Sequence, residues 1–220
     1  MAAIKGSPSL AIGNAIGSNI TNIGLIIGLT ALVAPLVVKT NMLKVEYLIL
    51  LLVSLGVYLL LLDKELDFKD GVILLLTLLI VLFIIVKKGL TEKNTEESLS
   101  GSKLQLNLSA GSAFFWFSVG LTTLLIGSHT LVRGAVEIAS LLGVSDLVIG
   151  LTIVAIGTSL PELAASIVSA LRNEHDIAIG NVIGSNIYNL LGVLCVPGLI
   201  SAPIIGNEVL SRDIPIMLFL

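Results

Sequence analysis

The stretch Ala11-Ile12-Gly13-Asn14-Ala15-Ile16-Gly17-Ser18-Asn19-Ile20 occurs twice in this chain. The second copy occupies residues 178–187 and differs only in having Val182 where the first has Ala15, so the two copies are offset by 167 positions (11 to 178). Each copy lies inside a long apolar segment. A polar, glycine-rich sequence that recurs in this way indicates an internal repeat, and in transporters such repeats flank a binding site near the middle of the bilayer.

Composition identifies the class of protein. The chain has 220 residues, of which 55% are hydrophobic and 12% are charged, and its mean hydropathy is +1.07. Soluble domains contain about 25% charged residues. We therefore predict a polytopic, all-α membrane protein. Its single cysteine, Cys195, allows neither a disulfide within the chain nor a thiolate metal site.

Six apolar segments approach the roughly 20 residues that a helix needs to cross a bilayer. The polar residues 87–107 are predicted to form an aqueous loop. The fourth segment is too long to cross upright, so we expect it to tilt, with Arg133 and Glu137 near the interface. The predicted segments are 10–37, 45–62, 72–86, 109–142, 147–171 and 177–200, with a seventh starting at 214.

The number of crossings predicts the relation between the copies. Five crossings separate them, so they enter the membrane from opposite sides, as in an inverted-topology repeat. Basic residues are more numerous on one side, which places the loop 87–107 in the cytoplasm. That side carries Lys39, Lys44, Lys87, Lys88, Lys93, Lys103 and Arg172, and the other carries Lys5, Lys64, Lys69 and Arg212.

The fifth segment is interrupted by Gly157-Thr158-Ser159-Leu160-Pro161-Glu162. Proline and glycine weaken the helix there, and a break in lipid is tolerated only where it faces protein or a watery cavity. An ionisable Glu162 in mid-segment would cost at least about 2.5 kcal/mol if it faced lipid. Carbonyls, two hydroxyls and a carboxylate form an all-oxygen set suited to hard cations such as Na⁺ and Ca²⁺. The alternative is a simple proline kink.

Polar and small residues of the repeated sequence recur every three to four positions and so share one helix face. Glycines at this spacing often serve only close helix packing, which is the alternative to a binding role. We predict ligand roles for Ser18, Asn22, Ser185 and Asn189. The remaining amides are expected to make helix–helix or backbone hydrogen bonds; these are Asn14, Asn19, Asn181 and Asn186.

Two other functional classes are disfavoured. A serine hydrolase using Ser159 with His129 or His175 would lack the Gly-x-Ser-x-Gly elbow. The aromatic run at residues 114–117 is typical of an interfacial belt. Nucleic-acid binding has no supporting basic surface, so we expect neither an enzyme nor a nucleic-acid partner.

Gly-Thr-Ser-Leu-Pro-Glu-Leu at residues 157–163, followed by Ala-Ile-Gly-Asn-Val-Ile-Gly-Ser-Asn-Ile-Tyr-Asn at 178–189, resembles the α-repeat of the sodium/calcium exchanger family, within the calcium/cation antiporter superfamily. The resemblance implies ten helices in two inverted halves, with four central helices around the ions. It also implies ion ligands on both repeats: the Ala155 carbonyl, Thr158, Ser159, Glu162, Ser185, Asn189, Ser18 and Asn22.

The chain departs from the family pattern in two respects. Some members carry an aspartate at the position of Asn189, whereas Asn22 and Asn189 are both neutral here. Potassium dependence and ion stoichiometry therefore stay open. In addition, the counterpart of residues 157–162 in the first repeat would precede Met1. We accordingly expect the middle of a longer exchanger, about six helices of ten, lacking the first and the last helices.

These observations predict a sodium/calcium antiporter that works by alternating access, without a cofactor, in the plasma (inner) membrane. Its partners would be the transported Ca²⁺ and Na⁺ ions and the lipid bilayer. The alternatives are calcium exchange for protons or another cation, or a non-transporting membrane fragment. The predicted units are the second part of the first α-repeat (1–40), two helices and a loop (41–107), a long tilted helix (108–145), the second α-repeat (146–203) and the start of a further helix (204–220).

Overall fold

A computed structural model describes residues 7–37, 40–96 and 110–220, with side chains for 7–37, 45–89 and 111–220. These residues form helices joined by short turns, and the only strand-like pairing among them is an isolated bridge between Glu65 and Ile204. Six helices in the described ranges are long and apolar enough to cross a membrane. The predicted all-α architecture and its six membrane segments are confirmed.

Seven helices follow one another in the described part of the chain. The first is interrupted by a π-helical turn at Asn22–Ile27, the fifth is broken at Ser159, and the seventh is preceded by a π-helical turn at Val209–Asp213. Their bounds are α1 Pro8–Val33, α2 Thr40–Leu60, α3 Phe68–Glu96, α4 Ala110–Leu141, α5 Asp146–Leu171, α6 His175–Ser201 and α7 Ile214–Phe219.

Several predicted helix ends differ from the structure: α1 ends at Val33 and not at 37, α2 begins at Thr40 and not at 45, and α3 begins at Phe68 and not at 72. Helix α3 also continues to Glu96, so residues 87–96 are helical and not part of a loop, and the rest of the predicted loop, 97–107, lies outside the described residues. Helical structure before α7 starts at Asn207, ahead of the predicted 214. After residue 86 and before residue 214, charged residues border the apolar run without ending the helix, because lysine, arginine and glutamate are good helix formers.

The core lies between α1, α2, α3, α6 and α7. Leu190, Leu191 and Leu194 of α6 are almost wholly buried at its centre. By contrast, only 6% of the apolar stretch with which α4 could cross the membrane is buried, and the principal contacts of α4 are with α5. Helix α4 is therefore a peripheral element attached to the body through α5.

The turns after α2 and α6 pair with each other. The Leu66 amide donates to the Pro203 carbonyl at 3.1 Å, and the Ile205 amide donates to the Lys64 carbonyl at 2.7 Å. The two turns therefore lie at the same end of the molecule, as expected when the four helices α3 to α6 run between them. This placement agrees with the alternating crossings on which the inverted repeat depends.

The glycines of the first copy bring α1 against α5. A Cβ on Gly13 would lie 2.7 Å from the Leu147 carbonyl oxygen, and a Cβ on Gly150 would lie 2.6 Å from the Leu10 carbonyl oxygen. Close packing through small residues is thus confirmed for this copy. In the second copy, a Cβ on Gly180 or Gly184 would meet no described atom within 4 Å.

Candidate cation site

The break in α5 positions the first group of candidate ligands. The helix ends at Thr158, Ser159 turns the chain with φ −91° and ψ 0°, and Leu160 begins the next helical segment with Pro161 in its first turn. The interruption predicted for residues 157–162 is therefore present. Thr158, Ser159 and Glu162 lie within about one turn of each other on either side of it.

A second consequence of the break concerns the carbonyl of Gly157. Pro161 has no amide hydrogen to donate to the carbonyl four residues earlier. The buried hydroxyl of Ser128, on α4, donates to that carbonyl instead. This role of Ser128 was not predicted, although a proline in a membrane helix always signals a carbonyl four residues back that needs a donor.

Thr158 brings the two repeats into contact. Its Oγ1 lies 3.3 Å from the Oγ of Ser18 on α1, and it is 3.0 Å from the Oδ1 of Asn14, to which it can donate. The same hydroxyl is also within hydrogen-bonding distance of the Val154 and Ala155 carbonyls. Hydroxyls predicted as ligands from opposite halves therefore meet at one point.

Glu162 lies beside the candidate ligands of α6. Its side chain interacts with that of Ser185, and its Oε2 is buried with no hydrogen-bond partner among the described atoms. An open cavity of about 340 Å³ is lined by Glu162, Gly180, Asn181, Gly184, Ser185, Tyr188 and Asn189. The structure therefore brings Glu162, Ser185 and Asn189 together.

Asn22 and Asn189 occupy equivalent positions, and each begins a π-helical turn, Asn22–Ile27 and Asn189–Val193. π-helical turns are rare and frequently lie at functional sites. Asn22 is only 1% exposed, yet its buried Oδ1 has no hydrogen-bond partner in the part of the chain that the structure describes. A buried acceptor left unpaired is costly unless a ligand supplies the missing interaction.

The two remaining predicted ligands are buried at the break. Ser159 is 3% exposed and Ala155 is fully buried. The Ala155 carbonyl accepts from the Ser159 amide at 3.1 Å and lies 3.2 Å from Thr158 Oγ1, so a cation bound there would have to take the place of one of these donors. The eight predicted ligands thus lie on α1, α5 and α6 around the break in α5.

The other asparagines make the hydrogen bonds expected of them. Asn181 donates to the Glu162 carbonyl at 3.2 Å and to the Ser166 hydroxyl at 3.1 Å, which fixes the glutamate-bearing turn against α6. Asn19 donates to the Asn186 carbonyl at 3.3 Å, across the two repeats.

The chemistry of this cluster is that of hydroxyl, amide and carbonyl oxygens with one carboxylate. Among the described residues, no three His, Cys, Asp or Glu side chains are arranged so that they could hold a metal ion together. Such an oxygen set favours hard cations over the softer metals that imidazole and thiolate bind. His129 is exposed, whereas Ser159 is buried.

Comparison with known proteins agrees with this chemistry. The family model described as "Sodium/calcium exchanger protein" matches residues 1–87 and 112–220. The chain belongs to the sodium/calcium exchanger family. Its fold is similar to that of the sodium-calcium exchanger NCX_Mj in crystals soaked with 2.5 mM Na⁺ and 10 mM Sr²⁺, with a TM-score of 0.74 and 37% identity over 99% of this chain and 69% of that one.

Two curated relatives are similar over nearly the whole chain. The putative antiporter CaxA of Alkalimonas amylolytica is 44% identical over 99% of this chain and 69% of its own length. The inner membrane protein YrbG of Escherichia coli (strain K12) is 41% identical over 95% of this chain and 66% of its own length. This exchanger-family chain therefore spans about two thirds of the length of these relatives. Membership of a transporter family places it among membrane transporters.

Proposed function

We propose that this protein exchanges Na⁺ for Ca²⁺ across the membrane by alternating access. The observation that carries the proposal is the meeting of oxygen ligands from both repeats at the break in α5, where Thr158 Oγ1 lies 3.3 Å from Ser18 Oγ. Near this contact, the buried Oε2 of Glu162 and the buried Oδ1 of Asn22 lack hydrogen-bond partners within residues 7–37, 45–89 and 111–220. Ca²⁺ takes six to eight oxygens at about 2.3–2.6 Å, which such groups can supply.

The ligand set we assign consists of the Ala155 carbonyl, the hydroxyls of Thr158, Ser159, Ser18 and Ser185, the amide oxygens of Asn22 and Asn189, and the Glu162 carboxylate. The solved structures of NCX_Mj, which were soaked with Na⁺ and with Sr²⁺ or Ca²⁺, support Na⁺ and Ca²⁺ as the transported ions. The name of YrbG supports an inner-membrane location.

Calcium exchange for protons is the second candidate, because Glu162 is the one carboxylate in the cluster and its buried Oε2 could carry a proton between the two sides. A single assay separates the candidates. The full-length protein is reconstituted into vesicles loaded with Na⁺, and external Ca²⁺ uptake is followed with a fluorescent indicator.

We expect rapid Ca²⁺ uptake when Na⁺ is inside, and none when choline replaces Na⁺ at the same pH. A pH gradient imposed without Na⁺ should then drive no uptake. Uptake that follows the pH gradient and ignores Na⁺ would replace the first candidate with the second. Absence of uptake under either gradient would contradict both.

A further inference from the structure

The third polar residue of the repeated sequence is an asparagine in both copies, Asn19 and Asn186. Both are 1% exposed, and neither is a predicted ion ligand. Each forms a hydrogen bond with a predicted ligand of the opposite repeat. Asn22 Nδ2 donates to Asn186 Oδ1 at 2.8 Å, and Asn189 Nδ2 donates to Asn19 Oδ1 at 3.1 Å. The two bonds are related by the same offset of 167 residues that relates the copies.

A backbone carbonyl determines the orientation of one of these two pairs, Asn19 and Asn189. Asn19 Nδ2 donates to the backbone carbonyl of Asn186 at 3.3 Å, and a carbonyl can only accept. The nitrogen of Asn19 must therefore face that carbonyl, which leaves its oxygen facing Asn189. An oxygen in that position requires a donor opposite it, so Asn189 must present its NH₂ group there.

The consequence for a cation follows from the chemistry of an amide. The NH₂ group carries positive partial charge and only donates, whereas the oxygen accepts and can coordinate a cation. With the NH₂ group of Asn189 turned towards Asn19 and that of Asn22 turned towards Asn186, the Oδ1 atoms of both ligands are left to coordinate a cation. The buried Oδ1 of Asn22, which has no hydrogen-bond partner among the described residues, is in this situation.

We propose that Asn19 and Asn186 are positioning residues, each of which fixes the orientation of the ligand amide of the opposite repeat. This inference rests on the proposed function. Ligand geometry in one half then depends on how closely the other half is packed against it. A change in the packing of α1 against α6 would disorient both amides together, so the pair couples ion binding to the relative position of the repeats.

A double-mutant cycle tests the inference in the full-length protein, with Ca²⁺ affinity measured by isothermal titration. Asn186→Leu keeps the approximate volume but removes the acceptor for the NH₂ group of Asn22. We expect Ca²⁺ binding to weaken roughly tenfold, which is the size of effect typical of a buried polar group left without its partner. In an Asn22→Ala background the same change should cost less than about twofold, because the amide that Asn186 orients is gone.

The matched control uses the ligand on the same helix as Asn186. Asn186→Leu and Asn189→Ala should act independently, so that their fold-losses multiply, because Asn186 accepts from Asn22 whereas Asn189 donates to Asn19. A purely structural role would give the same coupling with both partners, or none with either, and each of these results would overturn the inference.

A second variant decides the matter if Asn186→Leu does not fold. Asn186→Asp retains an acceptor for Asn22, so its Ca²⁺ affinity should stay within about threefold of the parent or become tighter. An affinity loss of tenfold or more in Asn186→Asp would contradict the inference. If the parent itself neither binds nor exchanges Ca²⁺, the proposed function fails instead, and that result is recognised before any variant is made.

Discussion

Glu162 is the residue on which Ca²⁺ transport should depend most. It supplies the only carboxylate of the cluster, and a divalent cation needs compensating negative charge where the dielectric constant is low. Glu162→Gln preserves the shape and removes the charge, so we expect Na⁺-driven Ca²⁺ uptake to fall at least 100-fold while expression persists. Glu137→Gln, at an exposed position on α4, should leave uptake within twofold of the parent. Normal uptake by Glu162→Gln would remove Glu162 from the site.

We predict that Ser128, on α4, stabilises the break in α5 through its hydrogen bond to the Gly157 carbonyl. Ser128→Ala leaves the Gly157 carbonyl without the donor that replaces the amide missing at Pro161. An unsatisfied buried carbonyl costs about 1–3 kcal/mol, so thermal unfolding in detergent should shift to lower temperature. The control is Thr130→Ala on the same helix, whose exposed hydroxyl donates to the carbonyl of Ile126 one turn earlier. Equal stability of the two variants would show that Ser128 has no such role.

At the residue scale, the sequence identified the candidate ligands more readily than the residues that hold them. Thr158 and Glu162 were predictable because polar groups in mid-membrane have few roles besides binding. The hydrogen bonds that hold the site together were not predictable. The Ser128–Gly157 bond joins residues 29 positions apart, and the Asn22–Asn186 bond joins residues 164 positions apart. Periodicity places a side chain on a helix face, but it does not say which helix lies opposite.

Helix packing gives a prediction at the scale of the element. Gly13→Ala introduces a Cβ that would lie 2.7 Å from the Leu147 carbonyl oxygen, so α1 and α5 must separate. Overpacking of this kind costs about 1–3 kcal/mol, and we expect a lower unfolding temperature together with weaker Ca²⁺ binding, since Ser18 and Thr158 would move apart.

The repeat provides the matched control. Gly180 is the counterpart of Gly13, but its added Cβ would meet no described atom within 4 Å. Gly180→Ala should therefore leave the unfolding temperature of the 220-residue chain unchanged. If it destabilised the full-length protein as much as Gly13→Ala, the face of α6 that carries Gly180 and Gly184 would have to be packed against another helix.

Element boundaries show where sequence reasoning stops. The six membrane segments were predicted because their apolar length is set by the bilayer. The extension of α3 to Glu96 and the π-helical turns at Asn22 and Asn189 were not. Helices continue beyond the lipid wherever propensity allows, and a π-helical turn depends on the local packing of a single inserted residue, which leaves no periodic trace in the sequence.

At the scale of the whole molecule, the inverted arrangement predicts how the chain lies in the membrane. The turns that contain Glu65 and Ile204 pair with each other, so they share one side, while Arg172, between α5 and α6, lies on the other. Because lysines and arginines are more numerous on the Arg172 side, that side should face the cytoplasm. The orientation of the chain in the membrane can be tested by chemical labelling, without measuring transport.

The test places single cysteines at two exposed positions, Glu65→Cys and Arg172→Cys, in a background where the buried Cys195 is replaced by serine. A membrane-impermeant maleimide added to intact cells should label Glu65→Cys and leave Arg172→Cys unlabelled, and after the membrane is permeabilised both should react. Labelling of Arg172→Cys alone in intact cells would show that the orientation is the reverse of the predicted one, but it would still agree with the inverted repeat. Equal labelling of both positions in intact cells would place them on one side, which an odd number of crossings between them forbids, and would therefore contradict the inverted topology itself.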